Sequence, residues 1–344
     1  MRLFSLLRGV FGRSGRDVDT DAPESLPSPP PTVAVAVEPD VPDGPPGWWV
    51  PRGPPVLAPP TPAGVRVART LYDRCARAVD DPTLELPQLP HVGQQLLAML
   101  HAEDVSFPEA AELAGQDPAL AADLLRVVNS VAYRGINEIR RLDLALARLG
   151  RRAAHSLVLT ASVKRIAIRL GGAHRTLGEQ LWRRSVASAV VAGVLGTQRN
   201  VPEEEAFLIG LLHDIGLLAV LKIVHDFQQS EGRPVSRAAF DALGARWHEH
   251  LGLRLADAWN LPDPLPELLG NHHHLPGDAD PLAGQRLLLQ VTDVVCSLLE
   301  YAPYVPYDFF NLDCVQRFGL TDTRATRALL TDLPEQIAGR LEVL

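Results

Sequence analysis

The run Leu208-Ile209-Gly210-Leu211-Leu212-His213-Asp214-Ile215-Gly216-Leu217-Leu218-Ala219-Val220-Leu221 is apolar on every side of a helix except at one adjacent pair, His213 and Asp214. A helix that is greasy all round belongs in a core, so the pair is expected to be buried. Desolvating an aspartate costs several kcal/mol unless a cation or donor groups compensate it. Some other part of the chain must therefore point at Asp214, and what points there decides the function.

The rest of the chain fits an all-α fold. From Val65 onward the apolar residues recur at helical spacing, and strand-like alternation is missing. Leu71–Val79, Val92–Leu100, Phe107–Ala114, a helix opened by the cap Asp117 and Pro118, Leu142–Leu149 and Ala153–Leu170 form a first group, punctuated by Gly150 and by Gly171-Gly172. Leu177–Gly196 begins a second group, followed by the helix of the opening pair, entered through Pro202 and the acids Glu203, Glu204 and Glu205. Phe240–Asn260, Pro264–His273 and Pro281–Tyr301 complete it. These are too many helices for one four-helix bundle, and two packed helical subdomains are expected: residues 65–172 and 173–301, with a helical extension at 302–344.

Ahead of them, residues 1–64 read as a disordered basic arm and proline-rich linker. Met1 to Arg16 carries four arginines and no acid among Leu3, Phe4, Leu6, Leu7, Val10 and Phe11, and is read as a frayed arm whose alternative role is weak contact with a membrane surface. Asp17 to Pro62 is rich in proline and acid, and Trp48-Trp49 is either a docking peptide or two tryptophans in a flexible stretch. No stretch reaches the roughly 20 uninterrupted apolar residues of a membrane span. Three scattered cysteines, Cys75, Cys296 and Cys314, argue against a disulfide framework or a thiolate zinc site and favour a reducing cytoplasm, with attachment at the inner membrane as the variant. The net charge of −8 repels nucleic acid on average.

Several segments together resemble the HDOD family: Leu86-Pro87-Gln88-Leu89-Pro90, Gln116-Asp117-Pro118-Ala119-Leu120, Leu124–Ser130, Ala145–Gly150, Leu211–Gly216, His248–Gly252, Trp259-Asn260-Leu261-Pro262 and His272-His273-His274. The resemblance covers roughly Leu86 to Asp280. It implies an all-helical relative of HD-type phosphohydrolases that acts as a regulatory module in bacterial signalling, with an incomplete metal site. A working HD site resembles His … His-Asp … Asp, in which imidazoles and carboxylates hold divalent ions that activate a water. In catalytic relatives the first histidine follows a Trp-x pattern, and Leu181-Trp182-Arg183-Arg184-Ser185 places Arg184 there. An arginine does not deprotonate to bind a metal. No Gly-Tyr-Pro sequence follows the histidines, so cyclic-di-GMP phosphodiesterases match poorly.

These residues lead to an expectation of a degenerate site, Arg184, His213, Asp214 and Asp293, in which the Arg184 guanidinium pairs with Asp214, bidentate if geometry allows, in place of an ion. No catalytic residue and no cofactor are then expected. The alternative is a metal-dependent phosphohydrolase with a remodelled ligand set, iron, manganese or magnesium held by His213, Asp214, His248, His272, His273 and Asp293. Each has a plainer reading: His248 and His250 as exposed imidazoles flanking Glu249, His272 to His274 as residues at a helix end, and Asp293 as an inward carboxylate paired with Arg148 or Arg184. A second alternative is nucleotide or nucleic-acid binding through the basic patch Arg140, Arg141, Arg148, Arg151 and Arg152, near Asn129, Ser130, Tyr133 and Arg134; its plain reading is a solvated face pairing with Glu138 and Asp143. The implied partners are a signalling protein or a small phosphorylated ligand. Arg126, Asn129, Tyr133, Arg148, Arg151 and Arg152 are the contact candidates, and the cleft between the two helical halves is the expected place for a ligand.

Overall fold

The computed structural model describes residues 62–344, apart from 82–84, 103, 131, 132, 134, 136, 172–174, 200, 278 and 303–307. The basic arm, most of the proline linker and Trp48-Trp49 lie outside the described residues. All regular structure within them is helical, with no strand. The first group comprises α1 (Pro62–Asp80), α2 (His91–His101), α3 (Phe107–Gly115), α4 (Pro118–Val128) and α5 (Leu142–Gly171). The second comprises α6 (Arg175–Gly196), α7 (Glu203–Leu212), α8 (Gly216–Glu231), α9 (Arg237–Ala258), the single turn and a half of α10 (Leu265–Leu269) and α11 (Ala283–Leu298). The extension folds as α12 (Asp313–Phe318), α13 (Arg324–Thr331) and α14 (Leu333–Val343).

Local chemistry sets the ends of these helices. The Asp117 carboxylate accepts the backbone N–H groups of Ala119 and Leu120 at 3.2 and 3.1 Å, and Pro118 fills the first turn, where no intrahelical partner for an N–H exists. Asp117 also pairs with Arg165, tying α4 to α5, and that hydrogen bond holds its pKa below the ordinary carboxylate value. Ser236 caps α9 by accepting from Ala239 N–H at 3.2 Å. Within α5, Gly150 adopts φ 72° and ψ 167°, a conformation open essentially only to glycine, and bends the chain between the two helical stretches that the sequence separates there.

α6 is the central helix, buried without a break from Ser185 to Gly196, and its lack of a polar face follows from neighbours on all sides. The two groups share one continuous core. α1 packs on α8 and α9 of the second group: Arg254 donates to the Ala78 carbonyl at 3.0 Å, and Tyr72 meets Trp247 edge-on with ring centroids 5.1 Å apart. α14 packs on α6, and the Val343 carbonyl accepts from Arg126 at 3.0 Å, so the extension straps the first group to the second. The stretch Glu203–Glu231 is apolar and long enough in composition to cross a membrane, yet 83% of its 18-residue apolar window is buried inside the protein, the habit of core helices.

Candidate functional site

The opening pair does not sit within one helix. α7 ends at Leu212, α8 starts at Gly216, and His213–Ile215 form a tight junction between them. Ile215, Leu217 and Leu218 donate to carbonyls three residues back, at 2.8–2.9 Å, so the ladder tightens to a 3₁₀ pattern across the junction. There His213 Nε2 and Asp214 Oδ2 come within 3.2 Å of each other. Both residues are buried, at 0% and 5% exposure. Gly216 brings α8 against α9: a Cβ at that position would run into the His248 carbonyl and lie 2.7 Å from the Gly252 nitrogen. This close approach sets His248 beside Asp214.

On one side of Asp214 stands the expected arginine. Arg184 Nη2 lies 2.5 Å from Asp214 Oδ2 and 3.5 Å from Asp293 Oδ1. The contact runs through one nitrogen and is not bidentate. No N–H is aligned well enough to make a hydrogen bond of it: both Asp214 oxygens, Asp293 Oδ2 and Arg184 Nε are buried without hydrogen-bond partners. His213 completes the group. Its Nδ1 is 2.8 Å from the Gly210 carbonyl and its Nε2 is 3.1 Å from Asp293 Oδ1, so both ring nitrogens face acceptors, as an imidazolium requires. Burial opposes that charge, but Asp214 and Asp293 outweigh it and raise the His213 pKa to about 10. Burial likewise opposes ionisation of the carboxylates. Arg184 and His213 overcome it at Asp214, holding its pKa well below the ordinary value, and chiefly His213 takes Asp293 down to about 2. Two cations thus face two carboxylates. Asp293 is inward and paired with Arg184 as one of its readings had it, while Arg148 lies elsewhere and bonds to the Tyr133 carbonyl.

The other side of Asp214 differs. His248 Nε2 and His272 Nε2 are 3.2 Å apart, His273 Nε2 is 3.0 Å from His248 Nε2, and Asp214 Oδ1 faces His248 and His272 at 3.6 and 3.9 Å. The reading of His248 as an exposed surface imidazole is corrected here: it is 4% exposed, because Gly216 draws α9 onto the junction, while His250 is the exposed one and lies against Trp247. His272 to His274 follow α10 in irregular backbone, and His272 is fully buried. His248 and His272 direct their Nδ1 atoms at the Gly244 and Leu269 carbonyls, at 2.7 and 3.2 Å. Burial lowers the pKa of both, reinforced at His272 by the neighbouring imidazoles. Two neutral rings that each donate Nδ1–H to a carbonyl present bare Nε2 lone pairs to one another. A proton on His273 Nε2 satisfies its own contact with His248 and leaves the His248–His272 pair facing lone pair to lone pair. A divalent cation resolves this: imidazoles anchored through the far nitrogen are the usual form of metal-bound histidine, and bond lengths near 2.0–2.1 Å match donor atoms about 3–4 Å apart. Two three-residue donor groups share His272 here, His248–His272–His273 and His213–Asp214–His272, and the unpartnered Asp214 Oδ1 also faces His248 and His272. His248, His272, His273 and Asp214 are the residues that would hold one ion on this side.

Three residues that the sequence reading missed hold this arrangement. Along α11, Arg286, Gln290, Asp293 and Ser297 recur at helical spacing and mark one polar stripe in a mostly apolar helix. Arg286 reaches Glu267, Asp280 and the Asn271 carbonyl at 2.6–2.8 Å. Gln290 donates to the carbonyls of His272 and His274 at 3.0 and 2.8 Å, and Glu249 accepts the His273 backbone N–H at 2.9 Å. The stripe is visible in the sequence once Asp293 is taken as its anchor.

A cavity of about 710 Å³ opens over both sides of Asp214. Arg184, Asp214, His248, His273 and Asp293 meet at its polar end, and Leu181, Leu217, Phe240 and Tyr301 contribute to its apolar walls. It lies within the second group, walled also by Leu312–Cys314 of the extension, and not in the cleft between the two groups. The contact candidates of the first group lie away from it. Asn129 spends its side chain on the Leu125 and Ile139 backbone, Arg126 binds α14 and Asp123, and Arg140 and Arg141 pair with Glu138 and Asp143. Arg151 and Arg152 line a separate cleft of about 360 Å³ with His101, His155 and Glu204. The cysteines are free, and burial raises the pKa of Cys75 and Cys296 to about 12, which keeps them as thiols.

This fold is that of an HDOD domain. The HDOD domain model matches residues 86–275, more than half of the chain, and the protein belongs to that family. A protein of Treponema pallidum (strain Nichols) described as uncharacterized is 26% identical over 216 residues; the match covers 60% of this chain and only 41% of that protein. Among solved structures, an HDOD domain protein of unknown function from Geobacter sulfurreducens superposes with a TM-score of 0.56 at 21% identity, covering 81% of this chain and 98% of that one. A candidate metal-dependent phosphohydrolase from Shewanella amazonensis SB2B gives 0.55 at 18% identity, over 77% and 98%. At these identities the structures share the fold.

Proposed function

We propose that the chain is a regulatory module of cytoplasmic signal transduction in which one divalent cation, held by His248, His272, His273 and Asp214, joins Arg184 in receiving a small phosphorylated ligand, and that ligand occupancy is passed to a partner signalling protein. The carrying observation is the pair of neutral, carbonyl-anchored imidazoles with Nε2 atoms 3.2 Å apart, at the polar end of the cavity. Three imidazoles and a carboxylate suit iron or zinc better than magnesium, which prefers an all-oxygen shell. When bound, the ion supplies positive charge and Lewis acidity that polarise a phosphoryl oxygen. Arg184 adds a fixed charge beside it, suited to phosphate by its planar fork of donors.

Recognition is favoured over turnover by how the carboxylates are used. Asp214 Oδ2 and Asp293 Oδ1 already face Arg184 and His213, which leaves only one side of Asp214 for a cation. The second reading, metal-dependent phosphoester hydrolysis, draws on Asp293 Oδ2, a buried carboxylate oxygen without a hydrogen-bond partner, 3.8 Å from His273 Nδ1. Calorimetry with phenyl phosphate tests the proposal on cation-loaded and cation-free protein. Binding to the loaded form alone, weakened in Arg184→Met and without release of phenol, is expected. Equal binding to the cation-free form contradicts it, and steady phenol release selects the hydrolase.

A further inference from the structure

The cation ligands His272 and His273 stand on irregular backbone, so something outside that segment has to orient them. Helix α10 ends at Leu269, and no helical ladder continues through residues 270–276. Two buried side chains of α11 grip the segment from one side. Arg286 holds its start through the Asn271 carbonyl, and Gln290 takes the carbonyls of residues 272 and 274, on either side of His273. Glu249 of α9 grips from the other side, accepting the His273 backbone N–H. Gln290 is 8% exposed and also lines the cavity. Its amide thus fixes the 272–273 and 274–275 peptide planes, one on each side of His273, and also borders the space a ligand enters.

We infer that Gln290 is a positioning residue for the cation centre: by fixing the carbonyls of His272 and His274 it holds the Nε2 atoms of His272 and His273 on the point that His248 Nε2 and Asp214 Oδ1 also face. Releasing either carbonyl lets the peptide plane rotate. A rotation that displaces an imidazole nitrogen by an ångström takes it out of bonding range of an ion, for which metal–nitrogen distances are set to within about 0.2 Å. The inference rests on the cation reading given above.

The test uses the full chain, with cobalt(II) as the probe cation at pH 8, followed by its visible absorption and by competition with a chelator. Gln290→Met keeps the bulk and removes the donors. Gln290→Glu keeps the shape, removes the donors and adds negative charge. Both variants are expected to bind cobalt about 10–100-fold more weakly than the unaltered chain, the usual loss when a supporting contact of a metal ligand is removed, with altered absorption bands. A helical circular dichroism spectrum and a cooperative melt establish that each variant folds. Tighter binding by Gln290→Glu would mean that charge and not position sets affinity, and would overturn the inference. So would unaltered affinity and spectrum in Gln290→Met. If the unaltered chain itself binds no cobalt, the cation reading fails instead, an outcome distinct from either.

Discussion

The two sides of Asp214 both rely on buried histidines, yet they solve the problem of buried charge in opposite ways. On the Arg184 side the charges are complete: a guanidinium and an imidazolium face two carboxylates, and the imidazolium and both carboxylates depend on their partners to stay ionised. On the His248 side the charges are missing: buried imidazoles are held neutral, and their lone pairs converge with a carboxylate oxygen that has no donor. The difference lies less in the number of histidines than in what each ring nitrogen faces. His213 has an acceptor at both nitrogens; His248 and His272 have an acceptor at Nδ1 and a fellow donor atom at Nε2.

Substitutions separate the two sides, and the largest effect is expected where they join. Asp214→Ala leaves Arg184 and His213 with one carboxylate between them and removes a cation ligand, so the chain should lose about 3–5 kcal/mol in denaturant titration and release its cation. Retention of the cation by this variant would show that the sides are independent. Arg184→Ala strands two buried carboxylates and should cost a similar ~3–5 kcal/mol, while cation affinity stays or rises, because a fixed positive charge on the shared Asp214 is gone. A loss of affinity instead would make Arg184 a support of the cation side.

His272→Ala reverses the pattern. Cation affinity should fall by more than the ~10–100-fold that accompanies loss of a supporting contact, with a smaller loss of stability in the cation-free protein, since an already neutral ring is removed. The pH dependence of the cation-free protein isolates the Arg184 side. Asp293, lowered to about 2, contributes stability above the ordinary carboxylate pKa near 3.8, and this is lost as pH falls toward 2. His213, raised to about 10, contributes stability that is whole below about 6.5 and is lost as pH rises toward 10. The stability profile should therefore drop at both ends, and His213→Gln should remove the alkaline limb and shrink the acid one, because His213 is the chief group holding Asp293 low. The smallest effect belongs to the first helical group: Arg140→Ala, an exposed partner of Glu138, should change stability by no more than about 0.5 kcal/mol and leave phenyl phosphate binding unchanged.

The fold was readable in the sequence because helical periodicity, the Asp117-Pro118 cap and the Gly150 break are local signals, and each acts where it stands. The Arg184–Asp214 contact was readable too, since a buried aspartate demands a cation and arginine is the residue that stays charged. What escaped depends on approaches between distant segments. Nothing near His248 in the chain marks it as buried; Gly216, 32 residues earlier, does so by letting α8 touch α9. The protonation of His213 is likewise a property of two carboxylates, one of them 80 residues away. The cavity was sought between the helical groups but lies inside the second, because the extension supplies one wall at Leu312–Cys314.

The central claim is that the His248 side of Asp214 holds a cation and the Arg184 side does not. Metal content of the purified full chain, measured by inductively coupled plasma mass spectrometry beside that of His248→Ala, tests this most directly. One equivalent of a divalent transition metal per chain, abolished in His248→Ala, is the predicted result. Two equivalents, or one that persists in His248→Ala, would contradict it.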